Sequence, residues 1–198
     1  MAFYDDFSAY PNGSLAGLGM WIATPFGYDP LIVQNHALIG TANNDLLAAL
    51  DGNAWHLDLT RPWSMAFTVG FAGPLPSPVK DSYCYIQVGS DIGPQNAVLV
   101  EINAASGGAD HARVYLTDDL SHLYLAVVPF AFGVRHVVTI TWDGTIHRAY
   151  LDGVQVAAGL LRNPATLTTK YIALVIGGLD TATRWTISNF QFAAKATL

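Results

Sequence analysis

Short runs in which apolar and polar residues alternate, broken repeatedly by glycine, proline, asparagine or aspartate, fill most of the chain. Alternation with a period of two marks a half-buried strand, because successive side chains leave a strand on opposite sides. The runs predict strands at 3–7, 21–25, 31–33, 36–40, 54–59, 64–71, 82–90, 97–104, 111–117, 122–128, 136–142, 146–151, 154–158, 171–177 and 184–192. Residues 44–50 read instead as a short helix, with Asn44 as its cap and Leu46, Leu47 and Leu50 turned inward. The proline-rich loop at 72–78 is too short to link domains. With no longer helix, repeat or linker in view, residues 1–198 are expected to form one all-β domain of two stacked antiparallel sheets.

Two stretches specify their own pairing. Asp143-Gly144 and Asp152-Gly153 are expected as two-residue hairpin turns, because both central positions of a type I′ turn need positive φ. They would join three strands into a meander, with Trp142 opposite Thr145 and Leu151 opposite Val154. One side then carries Val138, Ile140, Trp142, Ala149, Leu151, Val154 and Val156. The other carries Thr139, Thr141, Arg148 and Gln155, as befits a sheet with one wet side.

A second meander spans residues 82–128. A slip of one residue would turn every side chain to the wrong side, so the apolar pattern selects the register. Matching apolar to apolar gathers Cys84, Ile86, Val88, Val98, Val100, Ile102, Val114, Leu116, Leu123 and Leu125 on one side. The opposite side collects Tyr83, Tyr85, Gln87, Glu101, Asn103, Arg113, Tyr115 and Tyr124. In that register Glu101 sits across from Arg113, and Tyr115 across from Tyr124.

Composition narrows the function classes. Charged residues are only 12% of the chain and hydrophobic ones 52%. So few charges fit either a large, well-filled sandwich core or an exterior partly covered by partners; partner burial is the favoured reading. The net charge is −6 and there is no basic stripe, which argues against nucleic acid. No apolar run is long enough for a membrane-spanning helix. The start, Met-Ala-Phe-Tyr-Asp-Asp, is acidic and lacks an apolar core, so no signal peptide is expected. A lone Cys84 offers no internal disulfide and no cysteine zinc cage, which suits synthesis in a reducing cytosol.

Three stretches carry a family resemblance. Tyr4-Asp5-Asp6-Phe7, Gly13-Ser14-Leu15 and Trp21 resemble the "D-D-F … G-S-L … W" start of many bacterial and phage jelly-roll domains. Residues 135–144 and 149–154 resemble the laminin-G-like signature "H-x-V-x-x-T-x-D-G … Y-x-D-G", with His136 at its first letter. Ile176-Gly177-Gly178, followed by residues 185–190, resembles the closing strand that returns beside the first. The resemblance implies a concanavalin A-like or laminin-G-like jelly roll, in which ligands often sit on a concave face. It would make the Tyr-rich side of the second meander that face. The family includes glycan-binding modules, glucanases and phage tail or capsid-surface proteins, and fold alone does not choose among them.

Candidate chemistry is sparse. A retaining glucanase needs two carboxylates about 5 Å apart. This chain has a single Glu, Glu101, with no Asp within two strand positions on its side, and the pattern Glu-x-Asp-x-x-Glu is absent. Pairing of Glu101 with Arg113 across the ladder is the preferred reading. No nucleophile elbow or phosphate loop appears, Cys84 falls on the apolar side, and His136 and His147 read as packed rather than catalytic. Asp91, Asp118 and Asp119 supply oxygen ligands without a metal-binding spacing. No catalytic residue, metal or cofactor is therefore expected. Tyr rings can stack on sugar C–H faces while Gln, Asn and Arg bond hydroxyls, and the same Tyr pairs can simply stabilise a sheet. The eight residues Tyr83 to Tyr124 named above are the candidate glycan-binding or partner-binding face. The expected protein is a non-enzymatic, oligomeric subunit of a phage virion, docking to other virion subunits and able to touch host glycans. A free carbohydrate-binding module is the alternative.

Overall fold

The computed structural model describes residues 2–19, 21–22, 29–40, 46–51, 60–72, 82–89, 97–103, 111–118, 123–161, 171–177 and 184–194. Among them there is no helix, and so none long and apolar enough to cross a membrane. The strands build two sheets. In the first, β15 (Val154–Gly159), β14 (His147–Leu151), β13 (Arg135–Trp142), β8 (Trp63–Ala72), β17 (Arg184–Ala194), β6 (Ala37–Gly40), β5 (Ile32–Gln34) and β2 (Gly13–Ser14) lie side by side. β1 (Ala2–Asp5) also pairs with β17. The second runs β12 (Leu123–Pro129), β11 (His111–Thr117), β10 (Ala97–Asn103), β9 (Tyr83–Gly89), β16 (Tyr171–Gly177), β7 (Leu46–Asp51) and β3 (Trp21–Ile22). All these pairs are antiparallel, and only β4 (Asp29–Pro30) adds a parallel contact, to β7. The chain is an all-β, two-sheet jelly-roll sandwich.

Alternation along strands such as β8, β9, β11 and β13 fills one shared core. Trp63, Met65, Phe67, Val69 and Phe71 of β8 meet Ile86 and Val88 of β9, Val100 of β10 and Leu174 of β16 in a single buried cluster. Burying each such side chain contributes roughly 1.5–3 kcal/mol. In β17 the inward set changes parity, from Trp185 and Ile187 to Phe190 and Phe192. A register shift between Ser188 and Gln191 absorbs the extra residue, with Asn189 at φ 53°. Both halves of the strand thereby face the core, the first paired with β6 and the second with β1.

The opening motif is an anchor built on one carboxylate. Asp5, 9% exposed, accepts the Phe7 amide at 2.7 Å, the Tyr10 hydroxyl at 2.8 Å and the Trp21 indole N–H at 2.8 Å. Phe7 turns out of β1 at φ 61° and packs on Trp21, whose ring meets Phe190 edge-on. Burial first, and then the Asp5 hydrogen bond, push the Tyr10 hydroxyl up to about 12. The strand expected to run to residue 7 therefore ends at Asp5.

Several expectations need correction. Residues 46–51 form a strand, not a helix: Leu47 lies opposite Val175, and the other edge of β7 pairs with β3 and β4. Partners on both edges outweigh the helix preference of a Leu/Ala run. The turn at Asp143-Gly144 is longer than expected, because Trp142 pairs with His147 and not Thr145. The Asp143 carboxylate accepts the Thr145 and Ile146 amides at 2.9 and 2.8 Å and so draws residues 143–146 into the loop. The Ile146 amide, then Arg148, hold this carboxyl well below the usual range. Asp152-Gly153 does form the expected turn, with φ 51° and 80° and Leu151 opposite Val154. Val154 is nonetheless 66% exposed, at the sheet edge. The strand expected at 54–59, residues 23–25 and most of the 72–78 loop lie outside the described residues.

His147 is fully buried between Trp63 and Trp142, with neither ring nitrogen bonded to a described residue. Burial holds it neutral and brings its pKa down to about 4. An unfolded histidine takes up its proton near 6.5. Between those values the unfolded chain binds the extra proton, so stability falls as pH drops, by at most about 1.4 kcal/mol per unit. His147→Phe, stacking in the same slot, is expected to remove that part of the decline. Urea midpoints at pH 7, 5.5 and 4.5 check it, and equal slopes in both proteins would refute it. Asp5→Ala strands three donors in or near the core and is expected to cost about 2–4 kcal/mol. An unchanged urea midpoint would remove Asp5 from its anchoring role.

Candidate functional site

With one side of the central strands of each sheet in the core, chemistry is left to the outward sides. On the second sheet these form cross-strand rows. One runs Val175–Tyr85–Glu101–Tyr115–Leu125, and its neighbour Gly177–Tyr83–Asn103–Arg113–Val127. Seven of the eight expected face residues lie on this side. Glu101 faces Tyr115 instead of Arg113, and Arg113 faces Asn103, a shift of two positions that keeps the outward set intact.

Tyr124 is the exception. It lies across from Leu116 on the core side, while Leu123, Leu125 and Val127 point outward at 53%, 51% and 58% exposure. Nearly every residue of β12 is apolar, so polarity could not select its facing. A phenol reaches farther than a leucine, and the Tyr124 ring lies directly on Gly159 of β15, where a Cβ would overlap it. The ring thus closes the edge where the two sheets meet, and a leucine there would leave a gap.

Exposure rises across the outward face. Ala173, Val175, Gln87 and Asn103 are buried, Tyr83, Tyr85, Glu101, Arg113 and Tyr115 are half-buried, and the outward β12 side chains are exposed. Tyr83 and Tyr85 stack with centroids 6.0 Å apart and planes 23° apart. Asn103 donates from Nδ2 to Glu101 Oε1 at 3.3 Å. The patch therefore combines aromatic surface, amide, carboxylate and guanidinium within two adjacent rows. The described register neighbours of Glu101 include no second carboxylate. Among the described residues no group of His, Cys, Asp and Glu is arranged to hold a metal. Burial pushes the Cys84 thiol well above its ordinary value, as an inert core thiol requires.

His136 packs on Phe130 at 4.2 Å between centroids, with Nδ1 2.6 Å from Asp152 Oδ2 and Nε2 3.0 Å from the Ala131 carbonyl. Asp152 also accepts the Val137 amide. Burial opposes these contacts, yet they hold its carboxyl below the ordinary value. The signature letters His136 and Asp152 thus tie a hairpin turn to the neighbouring strand.

The first sheet holds a feature that the sequence did not single out. A cavity of about 590 Å³ opens among Pro62, Ser64, Thr139, Thr141, Arg148 and Tyr150, with Trp63, Trp142 and Asp143 completing its lining. Thr139, Thr141 and Arg148 were legible as outward residues. Their meeting with Ser64 needed the β8–β13 pairing.

No family model matches the chain, and no curated protein matches it. Solved structures do. Lectin II from Ulex europaeus superposes with a TM-score of 0.67 at 12% identity, over 99% of each chain. The endo-β-1,3(4)-glucanase SCLam, of family GH16, gives 0.64 at 11% identity, over 98% of this chain and 90% of that one. Alginate lyase Aly36B gives 0.62 at 12%, over 100% and 98%. The fold class is thus that of the concanavalin A-like jelly rolls. At these identities the likeness is one of fold, and the similar structures include both lectins and enzymes.

Proposed function

We propose that this protein is a non-enzymatic, lectin-like module that binds carbohydrate on the outward face of its second sheet. The observation that carries this reading is the stacked, half-exposed Tyr83–Tyr85 pair beside Glu101, Asn103, Arg113 and Tyr115. Rings at that spacing offer a platform for the C–H face of a sugar, while the half-buried Glu101 carboxylate and Arg113 guanidinium can reach its hydroxyls. The carbohydrate-binding jelly rolls among the similar structures support the same reading. In a glycan-array screen followed by calorimetry, Tyr83→Ala and Tyr85→Ala are each expected to weaken binding about tenfold, worth roughly 1.4 kcal/mol. Undiminished binding in both would sink the proposal. So would sugar release that disappears in Glu101→Gln.

A second reading makes the chain a virion subunit of a phage-like particle, made in the host cytosol and docked to other subunits or to itself. It is favoured by the uncharged strand β12, whose Leu123, Leu125 and Val127 stand exposed at the edge of the second sheet. Light scattering after size exclusion is expected to show oligomers that Leu125→Lys reduces to monomers. A wild-type monomer at all concentrations would count against self-docking.

A further inference from the structure

We infer a second ligand site in the cavity on the outward side of the first sheet, for a neutral, polyhydroxylated ligand such as a short uncharged sugar chain. The register sets Ser64, Thr141 and Arg148 in one row across β8, β13 and β14, and Thr139 and Tyr150 in the next. The hydroxyls of Ser64, Thr139, Thr141 and Tyr150 have no hydrogen-bond partner among the described residues, and all four line one concavity. Each hydroxyl can both donate and accept, which is the valence a ligand hydroxyl needs.

Charge decides against an ionic ligand. Among the described residues of the lining Arg148 and Asp143 are the only charged ones, and they pair with each other. Asp143 is further engaged by the Thr145 and Ile146 amides, so it is not free to hold a cation. Arg148 keeps guanidinium N–H groups beyond the one facing Asp143, and these can donate to neutral oxygens. Pro62 and the Tyr150 ring add apolar surface for a C–H face. The volume, about 590 Å³, lies within the range of roughly 300–1,000 Å³ usual for small-molecule sites.

The site is on the opposite sheet from the tyrosine face and does not depend on it. The test uses the full chain, labelled for NMR, titrated with neutral hexasaccharides (cello-, xylo-, manno- and maltohexaose) and with oligogalacturonate as the charged control. At least one neutral oligomer is expected to shift amides of β8, β13 and β14 and to change the fluorescence contributed by Trp63 and Trp142. Thr141→Val and Tyr150→Phe remove only hydroxyl chemistry at half-buried positions, and each is expected to weaken that binding several-fold. Tyr83→Ala is expected to leave it unchanged. No shift in these strands with any neutral oligomer, or preference for oligogalacturonate, would overturn the inference. Loss in Tyr83→Ala alone would also overturn it while sparing the tyrosine face. Loss in the cavity variants alone would uphold it while telling against that face.

Discussion

A strand can turn only every second side chain the same way, and both sheets direct that half into one shared core. Everything else in the molecule follows from this division. The core takes the large apolar residues of β8, β9, β10, β13 and β17 in a single cluster. What remains for recognition is two outward sheet faces and the loops between strands. The tyrosine rows and the hydroxyl-lined cavity are therefore back to back, separated by the thickness of the packed sandwich. Both sit on strands whose inward neighbours hold them in place.

Several of the polar groups that enter the interior tie elements together. Asp5 gathers Phe7, Tyr10 and Trp21, so the first strand is fastened to the chain that crosses beneath it. The Trp185 indole donates to the buried Ser82 hydroxyl at 2.9 Å and links the closing strand to the start of β9. His136 and Asp152 do the same for a hairpin turn. His147 is different: among the described residues it is held between two tryptophans by packing alone, which is why acid acts on it.

Legibility in the sequence tracked the contrast between neighbouring positions. Strands β9, β10 and β11 alternate cleanly, and their inward residues from Cys84 to Leu116 were readable one by one. Register was less so, because a shift of two preserves facing while changing partners, as with Glu101 and Tyr115. Contrast vanishes in β12, where Leu123 to Val128 are apolar at every position but Tyr124, and in Leu46–Leu50. There, pairing partners far along the chain decide the outcome. The cavity was out of reach for the same reason: Ser64 and Thr141 are adjacent only through the fold.

The contact of Tyr124 with Gly159 has a consequence for how this chain can vary. Any side chain at 159 would collide with the ring, and a smaller residue at 124 would open a hole between the sheet margins. The two positions are thus coupled: a side chain at 159 would force the Tyr124 ring out of its present place. A change at only one of them would oblige the margin between β12 and β15 to repack.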